Sequence, residues 1–302
     1  MAIETQGGEA WRDLDSSTDS ITEQAALIGL GSRGCEQLQR LCRAGLENVT
    51  AFLIDHDSAA RRADDLPVPS CWIGNTETVA DFAACTLLGL VIMGVDHQEG
   101  SEWLSLRLGL LRERPMLLLG IVLPAAPVVV PRRRPERWRE LDSVIEWPAL
   151  LNPAADLILL RDVVDDLIRA LLDPDPLGAN FAEMLAVFGD ARTVYTASLE
   201  VDPAATAAWA PETLDILIGQ VTRQGLDPQR TLGLLVVVRG GDAAAGAALR
   251  ALLEQRLPQG VLLAVAVPDA GNPAAGGVLR VTLFATTAGL AISNVARRGL
   301  ST

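Results

Sequence analysis

Residues 26–36 read Ala-Leu-Ile-Gly-Leu-Gly-Ser-Arg-Gly-Cys-Glu. A short apolar run gives way to Gly29, Gly31 and Gly34, and a helical pattern follows at Leu38, Leu41 and Leu46. The pattern predicts a strand over Leu27–Leu30, a Gly-rich turn and a helix over 35–45. Such a turn can aim backbone N–H groups at an anion from a helix N-terminus. It also serves as a tight corner with no ligand, so both readings stand at this point. Arg33 favours an anion. Glu36 is expected in the helix's first turn, where a carboxylate suits the helix dipole but opposes a phosphate.

The chain around this stretch has 302 residues, 49% of them hydrophobic, which suffices for one large or two medium domains. A formal net charge of −13 argues against nucleic acid or an anionic membrane as partner. All 25 basic residues are arginine, which excludes a phosphate-binding P-loop lysine and Schiff-base chemistry. Cys35, Cys42, Cys71 and Cys85 form no CxxC pair and read as reduced, buried thiols. The polar, acidic N-terminus is unlike a secretion signal, and no apolar run of spanning length is uninterrupted. A cytoplasmic protein is expected.

Outward from the turn, strands are expected at Val49–Ile54, Cys71–Ile73, Leu87–Met93, Met116–Leu123 and Ser143–Trp147. Helices are expected at 101–113 and 137–141. Continuous apolar strands separated by helices imply a parallel sheet covered on both faces. Ligands of such sheets bind at the carboxyl ends of the strands, here after Leu30, Ile54 and Met93. Residues 154–172 carry the longest helical pattern, with Leu157, Leu160, Val164, Leu167, Ile168, Leu171 and Leu172 as core.

Beyond it, helices are expected at 180–189, 211–224 and up to Arg256, with strands at 192–201, 232–238, 261–267 and 278–285. The last two strands read as antiparallel neighbours. The expected division is a disordered tail over 1–24, a Rossmann-like domain over 25–153 and a central helix over 154–173. An α+β domain with a mixed sheet over 174–290 and a short tail over 291–302 complete it.

Several stretches along this order resemble the FtsZ/tubulin superfamily, and FtsZ in particular. Ile28-Gly-Leu-Gly-Ser-Arg-Gly34 is similar to the family's first nucleotide loop, I-G-V-G-G-x-G. Asp55-His56-Asp57 falls where such chains carry N-T-D, and Gly89-Leu-Val-Ile-Met-Gly94 resembles the strand before the signature loop. Asn180-Phe-Ala-Glu183 resembles the D-F-x-D of the catalytic loop, and Gly189-Asp-Ala-Arg192 the element after it. Leu235-Val-Val-Val-Arg-Gly-Gly-Asp242 and Val278-Leu-Arg-Val-Thr-Leu-Phe-Ala-Thr286 resemble V-x-I-x-G-G-x-D and V-R-V-T-V-I-A-T, the most specific matches. The likeness spans roughly residues 25–290 and rests on element order as much as on motifs. It implies a tubulin/FtsZ-like α/β fold with a nucleotide domain, a long central helix and a C-terminal α+β domain.

The functional positions depart from that pattern. The family's G-G-G-T-G-T-G signature loop is Asp96-His97-Gln98-Glu99-Gly100-Ser101-Glu102 here, which keeps Gly100 and the Ser101 hydroxyl and gains three carboxylates. Like charges at that range cost kcal/mol rather than tenths. Cys35 and Glu36 replace a Gly-Asn pair. The catalytic acids become Asn180, which cannot act as a base, and Glu183. The guanine-binding aspartate aligns near Asp156 or Leu157. If nucleotide binding is retained, the resemblance assigns it to Gly29, Gly31, Ser32, Arg33, Gly34, Gly94, Gly100, Ser101 and Asp156.

The first expectation is an FtsZ-like protein without efficient GTP hydrolysis. It would act by protein–protein contact or assembly, with itself or an FtsZ-type partner, in prokaryotic cell division or a cytoskeleton. The alternative is a divergent GTP-binding, filament-forming GTPase. The third reading gives the old cleft to another ligand or a cation. No cofactor is required by the residues themselves; GTP or GDP is what the resemblance implies. No metal centre, nucleic acid or direct membrane anchor is expected. His97 with Asp96 and Glu99, and His56 with Asp55 and Asp57, read as solvated loops, against a metal or acid–base site. Arg132–Arg134 reads as a solvated loop, against a phosphate-binding or acidic-partner patch.

Overall fold

A computed structural model of the chain describes residues 24–46, 49–54, 66–68, 70–72, 86–94, 117–123, 141–147, 153–172, 180–189, 192–204, 208–268 and 277–288. The expected helices at 101–113 and 137–141, the Arg132–Arg134 stretch and most of both tails lie outside these residues.

Strand β1 (Gln24–Leu30) leads into helix α1 (Gly31–Arg43), followed by β2 (Val49–Ile54), β3 (Ser70–Trp72), β4 (Thr86–Gly94), β5 (Leu117–Leu123) and β6 (Ser143–Glu146). These strands lie in the order β3-β2-β1-β4-β5-β6, all parallel. This is the doubly wound order, whose direction reverses between β1 and β4. Every side chain of β5 is buried, as are those of β1 from Ala25, which is why these strands read as unbroken apolar runs. Helix α1 buries Gly31, Gly34, Cys35, Leu38, Leu41 and Cys42 against β1, β2 and β4. Burial pushes the Cys42 thiol up to about 11.

Helix α2 (Pro153–Leu172) follows β6 and is about 30 Å long at 1.5 Å per residue. It buries Leu160, Val163, Val164, Leu167, Ile168 and Ala170 in the core it shares with α1. Leu157, Leu171 and Leu172 are only half-buried at its ends. Helix α3 (Phe181–Phe188) and strand β7 (Arg192–Val201) come next. Helix α4 (Trp209–Arg223), β8 (Thr231–Arg239), α5 (Ala243–Arg256), β9 (Leu262–Ala266) and β10 (Leu279–Thr287) complete the chain.

One ten-stranded sheet runs through both halves, in the order β3-β2-β1-β4-β5-β6-β7-β10-β8-β9. The halves meet where β6 pairs in parallel with β7, Ser143 to Arg192 and Ile145 to Val194. The expectation that the last two strands are neighbours is overturned. β8 lies between them, parallel to β9 and antiparallel to β10. Local alternation identifies strands but not their order, and the packing of two-faced β8 decides it. Val236 and Val238 face the cluster under α4 and α5, while Leu235 and Val237 face the α2 core.

Candidate functional site

The Gly-rich stretch lies at the carboxyl edge of the sheet, at the reversal between β1 and β4. Gly31 turns the corner with φ +65°, which an L side chain rarely adopts. The helix begins at Gly31 rather than at residue 35, because this glycine lets the chain enter the helix directly from the strand. Glu36 therefore lies beyond the first turn and is exposed, and that turn contains no acid. This corrects the expected opposition of Glu36 to an anion. Leu30, at the N-cap, offers no side-chain hydrogen bond. Helix and strand approach closely, since a Cβ on Gly34 would stand 2.2 Å from the Ile92 carbonyl oxygen. Cys35 Sγ donates to the Gly29 carbonyl at 3.2 Å and ties the first turn back to β1.

Gly29, Gly31, Ser32, Arg33, Gly34 and Gly94 are thus brought to one edge. Ser32 and Arg33 are exposed, and the stem of Arg33 lies over Gly94, where a Cβ would meet Arg33 Cδ at 3.0 Å. Asp156 is in the first turn of α2, beyond the carboxyl end of β6 on the same edge. Its carboxylate accepts from the indole N–H of buried Trp147, which fixes the start of α2 to the end of β6. Gly100 and Ser101, with the rest of 96–102, and Asp55-His56-Asp57 lie outside the described residues. Among the described residues no group of three or more His, Cys, Asp or Glu is placed to hold a metal, and no helix is long and apolar enough to cross a membrane.

Asn180 and Glu183 are at the opposite edge. Asn180 caps α3, accepting from the Glu183 N–H at 3.0 Å, and Glu183 Oε2 accepts from the Asn180 N–H at 3.3 Å. This is a reciprocal capping box. The other end of α3 is fixed at the amino ends of β6 and β7. Arg192 Nη1 donates to the carbonyls of Ala186 and Val187 at 2.7 Å, and the Ser143 hydroxyl donates to that of Phe188. The Gly-rich corner and the Asn180–Glu183 pair are therefore separated by the height of the sheet.

A charged cluster between α2 and the C-terminal strands has no counterpart in the sequence reading. Asp166 is fully buried and accepts from Arg280 Nη2 at 2.5 Å and from the Thr282 hydroxyl at 2.5 Å. Arg239 donates to Asp165 at 2.6 Å and to Asp166 at 3.3 Å, and Arg169 donates to Asp165 at 3.1 Å. Burial pushes the Asp165 carboxyl up, but the Arg239 and Arg169 guanidinium groups outweigh it and hold the pKa below its ordinary value. For Asp166 burial prevails over Arg280 and Thr282, and the pKa is raised. The available signal was positional: Asp166 falls on the buried arc of α2 beside Val163, Leu167 and Ala170.

No protein-family model matches the chain, and no curated protein matches it significantly. Solved structures do. An empty FtsZ dimer from M. jannaschii is 13% identical, with a TM-score of 0.65 over 94% of this chain and 92% of that one. A GTPγS-bound protofilament of CetZ2 from Haloferax volcanii is 16% identical, with a TM-score of 0.56 over 91% and 97%. Protofilaments of TubZ in the GDP form, from Bacillus thuringiensis serovar israelensis, are 9% identical, with a TM-score of 0.54 over 94% and 91%. Strand order, the long helix after β6 and these likenesses agree, and the fold of this chain is that of the FtsZ/tubulin superfamily.

Proposed function

We propose that the chain is an FtsZ-like protein that has lost efficient GTP hydrolysis and acts through protein–protein contact and assembly, in prokaryotic cell division or a related cytoskeletal role. The capping box carries this reading. In a GTP-hydrolysing filament the matching acids polarise water at the next subunit's nucleotide. Asn180 cannot serve as a base, and its oxygen already holds the Glu183 N–H. Glu183 Oε2 is itself engaged by the Asn180 N–H, so reaching a water means leaving the capping box. Placement supports assembly. A site combining the Gly-rich corner with the start of α3 needs two copies arranged head to tail, a contact that propagates into a filament unless its rotation closes a ring. CetZ2 and TubZ were solved as protofilaments, the former with GTPγS bound.

The test is phosphate release by the purified full chain, with light scattering and pelleting in GTP and magnesium. The expected result is release at background, with association that does not depend on hydrolysis. Steady turnover abolished by Glu183→Ala would overturn the proposal.

The corner favours a second reading, in which GTP or GDP still binds and the chain is a divergent GTPase. Its first helical turn has no acid, and Arg33 stands at its mouth. Backbone N–H groups bind phosphate whatever side chains they carry. Equilibrium dialysis decides it. Micromolar GTP binding that Arg33→Glu weakens at least roughly tenfold supports retention; no binding by the folded chain removes it. A cleft adapted to another ligand or a cation would rest on the acidic 96–102 stretch, outside the described residues.

A further inference from the structure

The seam between the two halves of the sheet is shorter than the strands beside it. β6 ends at Glu146 and pairs with β7 only as far as Val194. β7 runs on to Val201, bonded to β10 along its other side. From Tyr195 onward this edge of β7 has no strand neighbour among the described residues. Gln224 Nε2 donates to the Thr196 carbonyl at 2.8 Å, taking one backbone group that a strand would have paired.

The resulting notch is a cavity of about 360 Å³ between α2, β7 and the last turn of α4. This is the lower range of small-ligand sites. Leu159 and Val163 of α2 and the buried Trp147 supply apolar walls. Val194 belongs to the α2-side core, and Ser198 pairs with Thr282, which itself bonds Asp166 of α2. With a two-residue period, Thr196 between them also faces α2. Thr196 is 5% exposed, and its hydroxyl has no hydrogen-bond partner among the described residues. A buried hydroxyl left unpaired is costly and is normally satisfied. Arg223 lines the same cavity from the exposed end of α4 and has no ion-pair partner among the described residues.

We infer that this notch is a binding site for a small carboxylate with a flat or branched apolar body. The body lies between Leu159, Val163 and Trp147, and an N–H on it donates to the Thr196 hydroxyl oxygen. The carboxylate meets the Arg223 guanidinium, a pairing favoured by the geometry of both groups. The site is separate from the Gly-rich corner and does not depend on the proposed assembly role.

The experiment is isothermal titration of the full chain with indole-3-acetate and with tryptophol, its uncharged counterpart. The expected Kd for the acid is on the order of 0.1–1 mM, with tryptophol roughly tenfold weaker. Arg223→Gln should erase that difference. Thr196→Val should weaken both ligands yet raise the Tm of the empty chain, because a methyl group needs no partner. Val163→Phe should fill the notch and abolish both. Arg223 is on the surface, so Arg223→Gln decides even if Val163→Phe fails to fold. Failure of indole-3-acetate to bind at about 10 mM overturns the inference. So does an acid–alcohol difference unchanged by Arg223→Gln.

Discussion

Gly34 has no room for a methyl group, and the atom in the way belongs to a backbone. A Cβ at 2.2 Å from the Ile92 carbonyl oxygen must push α1 off β4. Gly34→Ala should cost about 2–4 kcal/mol, read as a lower denaturant midpoint at unchanged slope. The glycine was visible in the sequence, but its neighbour was not, since Ile92 lies on a strand 58 residues further along the chain, beyond β2 and β3. Asp165 gives a pH signature. Its folded pKa is depressed below the unfolded value of about 3.9, so its contribution is complete above about pH 5 and is lost as pH falls through the folded value. Asp166 shifts the other way and opposes this trend, so the comparison must isolate Asp165. Asp165→Asn should lower stability by about 1–3 kcal/mol at pH 7. The Tm gap between this variant and the native chain should narrow steadily from pH 5 towards pH 3. A gap that widens in acid would contradict the ion pairing with Arg239 and Arg169.

Helix α3 is short and held at both ends by side chains. The reciprocal Asn180–Glu183 bonds satisfy its first N–H groups, and Arg192 satisfies carbonyls in its last turn. Asn180→Ala should cost about 1 kcal/mol, whereas Asn180→Asp should be nearly neutral, because aspartate caps equally well. Thermal unfolding of the two variants checks this, and equal losses would show that the cap contributes nothing. The elements themselves were largely legible. β5 is apolar throughout, and β1, β2 and β4 are so but for Gln24, Thr50 and Thr86, because both faces of these strands are covered. Reading helix α1 as starting at residue 35 placed Glu36 wrongly, because a positive φ at Gly31 is a property of the folded corner that sequence period cannot register. The Asp166–Arg280–Thr282 cluster escaped because its members are 114 and 116 residues apart. An aspartate on the buried arc of a helix looks like an error until its partners on a distant strand are known.

At the scale of the molecule, the sheet and one hydrophobic core cross from the first half to the second. Leu27 and Leu90 share a cluster with Leu235, Ala264 and Phe284. The chain should therefore unfold in a single transition, with far-ultraviolet dichroism and tryptophan fluorescence coinciding across denaturant. Two separated midpoints would show that the β6–β7 seam does not couple the halves. The parallel arrangement of the first half followed from its α/β pattern, while the pairing of the second half did not, because β8 and β10 pair across intervening segments that carry no local signal. The position of β10 has a further consequence for biosynthesis. The last described strand to be translated is inserted between β7 and β8, which precede it. Until β10 emerges from the ribosome, β7 and β8 each lack a neighbour and α4 and α5 lack part of the surface they cover. The nascent second half must wait with two open edges, so chaperone engagement should peak in that interval, and a ribosome stalled before Leu279 should hold a first half that is protease-resistant and a second half that is not.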